Sequence, residues 1–238
     1  MLILAIDSAT PVAGVALLDG EKLIKEEFSN YKKTHSETLM VMVDRVLKEC
    51  ECTIHQVDAF AVTIGPGSFT GLRIGLAAVK GLSMATGKPV TGVSTLDTLA
   101  YNLCGSNALV CPLLDARRQE VYCGFYDASG VIPNTLNENL ACSPEEFTAR
   151  AKDVARDNKK DHIIVLGDGY NPYAEFFKQE LGKSLQIPPP HLMLPRAGAL
   201  GSLGLMKARK GEFEDIFKLR PVYIRLSEAE YRLGRGEL

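Results

Sequence analysis

The sequence predicts an α/β protein of two lobes, each threaded in the order β-β-β-α-β-α, on three observations. A turn with three glycines, Gly65-Pro66-Gly67-Ser68-Phe69-Thr70-Gly71, divides an apolar, β-forming run at residues 59–64 from a helical repeat at Leu72, Leu76, Val79 and Leu82. The element order that leads through this turn recurs after residue 108. Finally, 238 residues exceed the usual single-domain size and give each of two lobes enough chain for a core.

The first lobe, residues 1–103, opens on an apolar strand over 2–7 that ends at Asp7. It turns through Ser8 to Pro11, runs apolar again over 12–18, turns at Asp19-Gly20 and continues over 23–28, a meander of short strands. Thr34 and Glu37 then stand at capping-box spacing ahead of Leu39, Val43, Val46, Leu47 and Cys50, which predicts an amphipathic helix over 37–50. In the glycine turn, Gly65 and Gly67 permit positive φ and close backbone approach, Pro66 stiffens the chain, and Ser68 or Thr70 can cap the helix that follows. The second lobe, residues 104–238, repeats the pattern. A strand over 108–114 ends at Asp115, in the place of Asp7, and is followed by a strand over 121–126, a helix over 144–155, a strand over 162–166 ending in Gly167-Asp168-Gly169, and a helix over 173–181. The polar tail beyond Ser227 is expected to fray, with part of it packed back on the first lobe.

Composition removes several function classes. Lys plus Arg number 27 against 29 Asp plus Glu, so no bulk field draws the chain to nucleic acid or anionic lipid. The basic clusters at 150–160 and 207–210 have acids nearby and read as solvated helix faces. The opening Met1-Leu2-Ile3-Leu4-Ala5-Ile6 lacks a basic flank and meets Asp7 too early for a signal peptide or a membrane span, so a cytoplasmic protein without membrane contact is expected. Six cysteines without a C-x-x-C pair are expected as free thiols, and four histidines without an H-x-x-x-H pair give no argument for a metal.

The unpaired N–H groups at a helix start behind glycines can hold a phosphate, but neither nucleotide pattern fits. A P-loop needs its second glycine five positions after the first, followed by Lys; here Gly71 stands one position late and precedes Leu72. The dinucleotide fingerprint needs glycine where Thr70 stands. A tight strand-to-helix turn that packs a helix on a sheet is the reading these residues favour.

A duplicated mixed-sheet lobe resembles the superfamily of sugar kinases, heat-shock chaperone ATPases and actin (the ASKHA fold), in which a nucleotide lies between the lobes. That likeness implies a phosphate-side loop at Asp7-Ser8-Ala9-Thr10 and an adenosine-side turn at Gly167-Asp168-Gly169. Residual nucleotide contacts would fall on Asp7, Ser8, Gly65, Gly67, Ser68 and Thr70. More specifically, Ile6-Asp7-Ser8-Ala9, Thr34-His35-Ser36-Glu37, the segment from Gly65 to Gly75, the stretch Leu114-Asp115-Ala116-Arg117-Arg118-Gln119-Glu120-Val121-Tyr122 and Pro221-Val222-Tyr223-Ile224-Arg225 together resemble the bacterial TsaB family, also called YeaZ, over nearly the whole chain.

This resemblance implies service with TsaD and TsaE in placing a threonylcarbamoyl group on the adenosine beside the anticodon of tRNAs that read codons beginning with A. In TsaD, two histidines of an Asn-His-x-x-x-His-type segment help to bind a metal. The matching stretch here, Gly92 to Leu99, carries Thr95 and Leu99 at those places, a poor ligand and a non-ligand. The resemblance therefore implies a non-catalytic scaffold that needs no metal or cofactor of its own, with ATP or ADP bound by the assembled complex and tRNA reached indirectly.

The same resemblance implies pairing, with a second copy or with TsaD, through helices of the first lobe. The expected surface comprises Glu37, Met40, Val43 and Leu47 on one helix and Gly71, Arg73, Gly75, Ala78 and Leu82 on the next, although the small residues of the second helix can equally pack on their own sheet. Arg73 can bind a carboxylate or phosphate or pair within the chain, and Arg117, Arg118 and Glu120 are expected to face the cleft. The rival functions are an independent actin-like-fold nucleotide-dependent kinase or ATPase and, against the missing histidine pair, a metallopeptidase.

Overall fold

A computed structural model describes residues 1–31 and 34–224. In the first half, β1 (Leu2–Asp7), β2 (Ala13–Asp19) and β3 (Lys22–Ser29) form an antiparallel meander, followed by α1 (His35–Glu49), β4 (Ala59–Gly65), α2 (Phe69–Thr86), β5 (Val90–Ser94) and α3 (Thr95–Tyr101). The sheet runs β3-β2-β1-β4-β5, with β4 parallel to β1 and β5 parallel to β4. The capping box forms as the sequence predicts, with the Thr34 hydroxyl and Glu37 carboxylate satisfying opposite ends of the first turn, and α1 begins two residues earlier than the apolar repeat suggests.

The second half contains β6 (Leu109–Arg117), β7 (Glu120–Cys123), β8 (Tyr126–Asp127), β9 (Asn134–Thr135), β10 (Leu140–Cys142), α4 (Pro144–Asp157), β11 (Ile163–Leu166), α5 (Ala174–Leu181), β12 (Leu185–Gln186) and α6 (Ala197–Arg209). Its main path, β10-β7-β6-β11-β12, reproduces the first sheet position by position, antiparallel on one side of β6 and parallel on the other. Two differences from the sequence expectation have physical causes. The apolar run at 121–126 breaks at Gly124, so β7 pairs with β10 while β8 turns back onto β6. The repeating unit is also longer than β-β-β-α-β-α, because each half adds a parallel strand and a helix.

Those added helices are exchanged. α6, from the second half, lies on the first sheet, where Ala197, Leu200, Leu205 and Ala208 join Ile3, Ala5, Ala16, Leu18, Ala59 and Ala61 in one buried cluster. Glycine lets it seat closely: a Cβ at Gly204 would lie 2.4 Å from the Ala61 Cβ. α3, from the first half, packs on β6, and its Leu96, Leu99 and Ala100 are buried with Val110, Leu114, Tyr126 and Leu166. The other face of the first sheet is covered by α1 and α2 around Leu4, Ile6, Phe60 and Val62. Glu26 on β3 fixes the start of α6, accepting two hydrogen bonds from the Arg196 guanidinium and one of 3.1 Å from the Gly198 amide.

Beyond α6 the chain returns along the first lobe as an irregular strap. The Glu214 amide donates to the Val90 carbonyl (2.8 Å), Ile216 and Leu219 enter the α1–α2 core, and the Val222 amide donates to the Ile64 carbonyl (2.7 Å). The sequence pattern gives no sign of it. The expected polar tail from Ser227 and Arg225 lie outside the described residues. Arg150 and Arg156 lie on a solvated face paired with Glu146 and Asp153, as read, whereas Lys160 is largely buried against Asp127 and Lys207 donates to the Gly92 carbonyl of the first lobe (2.6 Å); the six cysteines are free. No described helix is long and apolar enough to cross a membrane.

Candidate functional site

The carboxyl end of β1 delivers Asp7 into the interior with no exposure. Its Oδ1 accepts from the Thr63 hydroxyl (2.7 Å) and the Ala9 amide (3.0 Å), while Oδ2 has no hydrogen-bond partner among the described residues. Burial pushes the carboxyl above its ordinary range, against the pull of those two donors and of nearby His35. Asp7 is thereby committed to holding β1, its loop and β4 together. Ser8 is committed likewise, its hydroxyl donating to the Gly71 carbonyl (2.9 Å).

The glycine turn lies against this loop. The Ser68 amide donates to the Ala9 carbonyl (2.7 Å), Ser68 Oγ caps α2 by accepting from the Gly71 amide, and a Cβ at Gly67 would stand 2.2 Å from the Ala9 carbonyl oxygen. Of the two capping candidates the structure selects Ser68. Of the residues expected to contact a nucleotide, Gly67, Ser68 and Thr70 line a cleft between the lobes, whereas Asp7, Ser8 and Gly65 sit behind its wall.

The cleft has a volume of about 530 Å³. Its first-lobe wall is Ala9 to Pro11, His35 and the glycine turn; its second-lobe wall is the end of β6 with Asp115, Arg117, Arg118, Tyr122 and Asp168. His35 points its Nε2 to the Thr10 carbonyl (2.8 Å), so that nitrogen donates. Asp115 accepts from the Arg117 amide (2.7 Å) and pairs with its guanidinium, while Asp168 accepts from the Asp115 amide (3.3 Å). Burial, with Asp115 close by, raises the Asp168 carboxyl. Arg117, Arg118 and Gln119 all adopt positive φ in the hairpin between β6 and β7, which turns this charged tip into the cleft mouth. Thus Arg117 and Arg118 line the cleft as expected, with Arg117 paired to its neighbour Asp115.

The strap completes the rim. Tyr223 stacks on Phe69 at the start of α2 (ring centroids 5.0 Å apart), the Arg73 guanidinium lies over the Phe69 ring, 3.7 Å from its centroid, and its Nε donates to the Tyr223 hydroxyl (3.2 Å). Arg73 therefore pairs within the chain, with aromatic rings in place of the expected acid. Such a stack and an exposed cation–π contact are each worth about 1 kcal/mol, so the strap tip is held by a small energy. Phe69, His35 and Tyr223 escape a reading based on glycine and acid motifs; their signal is their place inside the segments from Thr34, Gly65 and Pro221 that carry the family resemblance.

The expected pairing surface needs correction. Val43 and Leu47 are buried in the core beneath α1, and Gly71 and Gly75 face inward, where a Cβ would lie 2.1 Å from the Ser8 carbonyl oxygen and 2.4 Å from Ser8 Oγ, respectively. Their small size serves intramolecular contact. Glu37, Met40 and Arg73 are exposed, with Glu37 also closing the capping box, and Ala78 and Leu82 are half-buried. The outward side of α2 is instead Arg73, Ala77, Gly81, Met84 and Ala85, with nothing within 4 Å of a Cβ built on Gly81. Thr95 and Leu99 are fully buried between the halves, and among the described residues no three His, Cys, Asp or Glu side chains converge as a metal site.

Residues 22–232 match the family model described as TsaD, tRNA N6-adenosine threonylcarbamoyltransferase. Over 231 residues, 97% of this chain and 96% of the relative, the sequence is 34% identical to the tRNA threonylcarbamoyladenosine biosynthesis protein TsaB of Bacillus subtilis. This chain belongs to the TsaB (YeaZ) family. The solved structure of YeaZ from Pseudomonas aeruginosa agrees, with a TM-score of 0.76 and 29% identity over 94% of this chain and 100% of that one. The fold of the TsaB-family chain is of the actin and sugar-kinase (ASKHA) type. Component A of the (R)-2-hydroxyglutaryl-CoA dehydratase from Acidaminococcus fermentans shares the fold alone, with a TM-score of 0.50 and 11% identity over 88% of this chain and 98% of that one.

Proposed function

We propose that this chain takes part in threonylcarbamoyladenosine synthesis on tRNA, as a non-catalytic scaffold that activates TsaD together with TsaE. The observation that carries the reading, beside family membership, is the fate of Thr95 and Leu99. The family resemblance puts them where the catalytic relative has its metal-binding histidines, and both are sealed in the interior where α3 meets the second sheet. The polar groups that a nucleotide-cleaving relative would direct at phosphate serve the fold here: Asp7 holds Thr63 and Ala9, and Ser8 holds Gly71. In this reading the chain needs no cofactor, any ATP or ADP belongs to the assembled complex, and tRNA is reached through it.

Pairing runs through the outward faces of α1 and α2, with Glu37, Met40, Arg73 and the bare Gly81 in contact with TsaD, or with a second copy when TsaD is absent. The work is done in the cytoplasm. The test is tRNA modification by TsaD, TsaE and the donor-forming enzyme with and without this chain, beside ATP turnover by the chain alone. Modification that depends on the chain, with no turnover by it, supports the scaffold. Magnesium-dependent ATP turnover by the isolated chain and no effect on modification would establish the kinase or ATPase reading instead.

A further inference from the structure

Tyr223 belongs to two surfaces. Its ring lines the interlobe cleft, and its hydroxyl accepts from Arg73, which stands on the outward face of α2. Among the described residues Arg73 has no carboxylate partner, and its guanidinium is held by the Phe69 ring and the Tyr223 hydroxyl. The strap that carries Tyr223 is unevenly anchored. Leu219 is 5% exposed and locked in the first-lobe core, whereas Val222 and Tyr223 are 50% and 40% exposed and depend on one backbone hydrogen bond, one ring stack and one side-chain hydrogen bond. A segment with a buried base and a lightly held tip opens at the tip first.

We propose that the tip of this strap, residues 220–223, is a releasable cover shared by the partner face and the cleft. A partner carboxylate that takes Arg73 removes the donor from Tyr223, the ring leaves Phe69, and the start of α2 opens to the cleft. A bidentate carboxylate is a stronger partner for guanidinium than a phenol oxygen, so the exchange runs in that direction. By reciprocity, whatever enters the cleft and displaces Tyr223 frees Arg73 for a partner. The device rests on the pairing face proposed above and adds its regulation.

The chain contains no tryptophan, so Val222→Trp, at a half-exposed side chain whose backbone bond to Ile64 is kept, gives a single fluorophore at the tip and leaves the Tyr223 hydroxyl in place. The full-length variant is titrated with TsaD while complex formation is followed separately by sedimentation velocity, and amide exchange is measured across residues 65–72. Complex formation should shift the Trp emission to the red and speed exchange at Gly71 and Leu72, whose amides are bonded to Ser68 in the first turn of α2, by about tenfold, as expected for loss of one or two weak contacts. In the isolated chain, Tyr223→Ala should produce the same acceleration, and Tyr223→Phe, which keeps the stack, a smaller one. A complex that forms with emission and exchange unchanged overturns the cover and leaves the pairing face standing. Absence of any complex overturns the pairing face and the device with it. Unchanged exchange in Tyr223→Ala overturns the cover without reference to a partner.

Discussion

Asp7 and Asp115 stand near the carboxyl ends of β1 and β6, the central strands of two sheets with the same order and directions, yet they live differently. Asp7 is wholly buried, locked to Thr63 and Ala9. Asp115 is partly exposed at the cleft, tied to its own hairpin through Arg117 and beside the half-buried Asp168. The backbone duplication has survived a division of labour. In the first lobe the strand ends and the glycine turn pack inward and leave the outward face of α2 for contact; in the second the corresponding strand ends furnish the charged wall of the cleft.

The largest test of this contrast is Gly75→Val, which drives a side chain into Ser8 behind the first-lobe turn. It should cost about 3 kcal/mol or more in urea denaturation. Near-wild-type stability would mean that the inward face is loose. Next, Glu26→Ala removes the acceptor of Arg196 and of the α6 amide, and should lower stability by about 2 kcal/mol, because a partly buried guanidinium and a helix N–H lose their partner. Gly81→Leu, on the outward face in the interior of α2, should raise stability by about 0.5–1 kcal/mol, because glycine is the poorer helix former and nothing crowds the new side chain. In sedimentation it should weaken self-association or TsaD binding about tenfold, or about 1.4 kcal/mol.

Acid titration separates the buried carboxylates from surface ones. The Asp7 carboxyl is raised by burial, so the unfolded state gives up its proton first. Stability falls as pH rises from the ordinary carboxyl value through the shifted one, at most about 1.4 kcal/mol per pH unit. Asp7→Asn should flatten that descent in a series of denaturation curves. The smallest effect belongs to Asp127, held down to about 2 by the Lys160 ammonium and the Ser129 groups. Its contribution is present above the ordinary carboxyl value and vanishes as pH falls through about 2. The pair is partly solvated, so Asp127→Asn should cost under about 1 kcal/mol at neutral pH by thermal melting.

The elements built from local rules were legible: the Thr34 box, the Ser68 cap, the period change at the glycine turn and the strands ending at Asp7 and near Asp115 all lie where sequence spacing puts them. What sequence spacing left open was which side of an apolar helix faces home. α2 carries small residues on both its inner side, at Gly71 and Gly75, and its outer side, at Ala77 and Gly81, and composition cannot order them. The exchanged covers were hidden for a related reason, since α6 seats on a sheet almost two hundred residues earlier through glycines and alanines that carry little periodic signal. The strap has no repeat at all and is defined by single anchors at Glu214, Leu219 and Val222.

The exchange of α3 and α6 also sets the order in which this protein can mature on the ribosome. When the first sheet has left the exit tunnel, Ile3, Ala5, Ala16, Leu18, Ala59 and Ala61 still lack the helix that seals them, and that helix ends only at Arg209. Synthesis at about 5–20 residues per second leaves this apolar face open for roughly the time needed to translate the whole second lobe. Each half finishes the other, so the apolar face of the first sheet stays without its native cover until the last fifth of the chain emerges, and a chain cut short within the second lobe lacks the helix that completes the first.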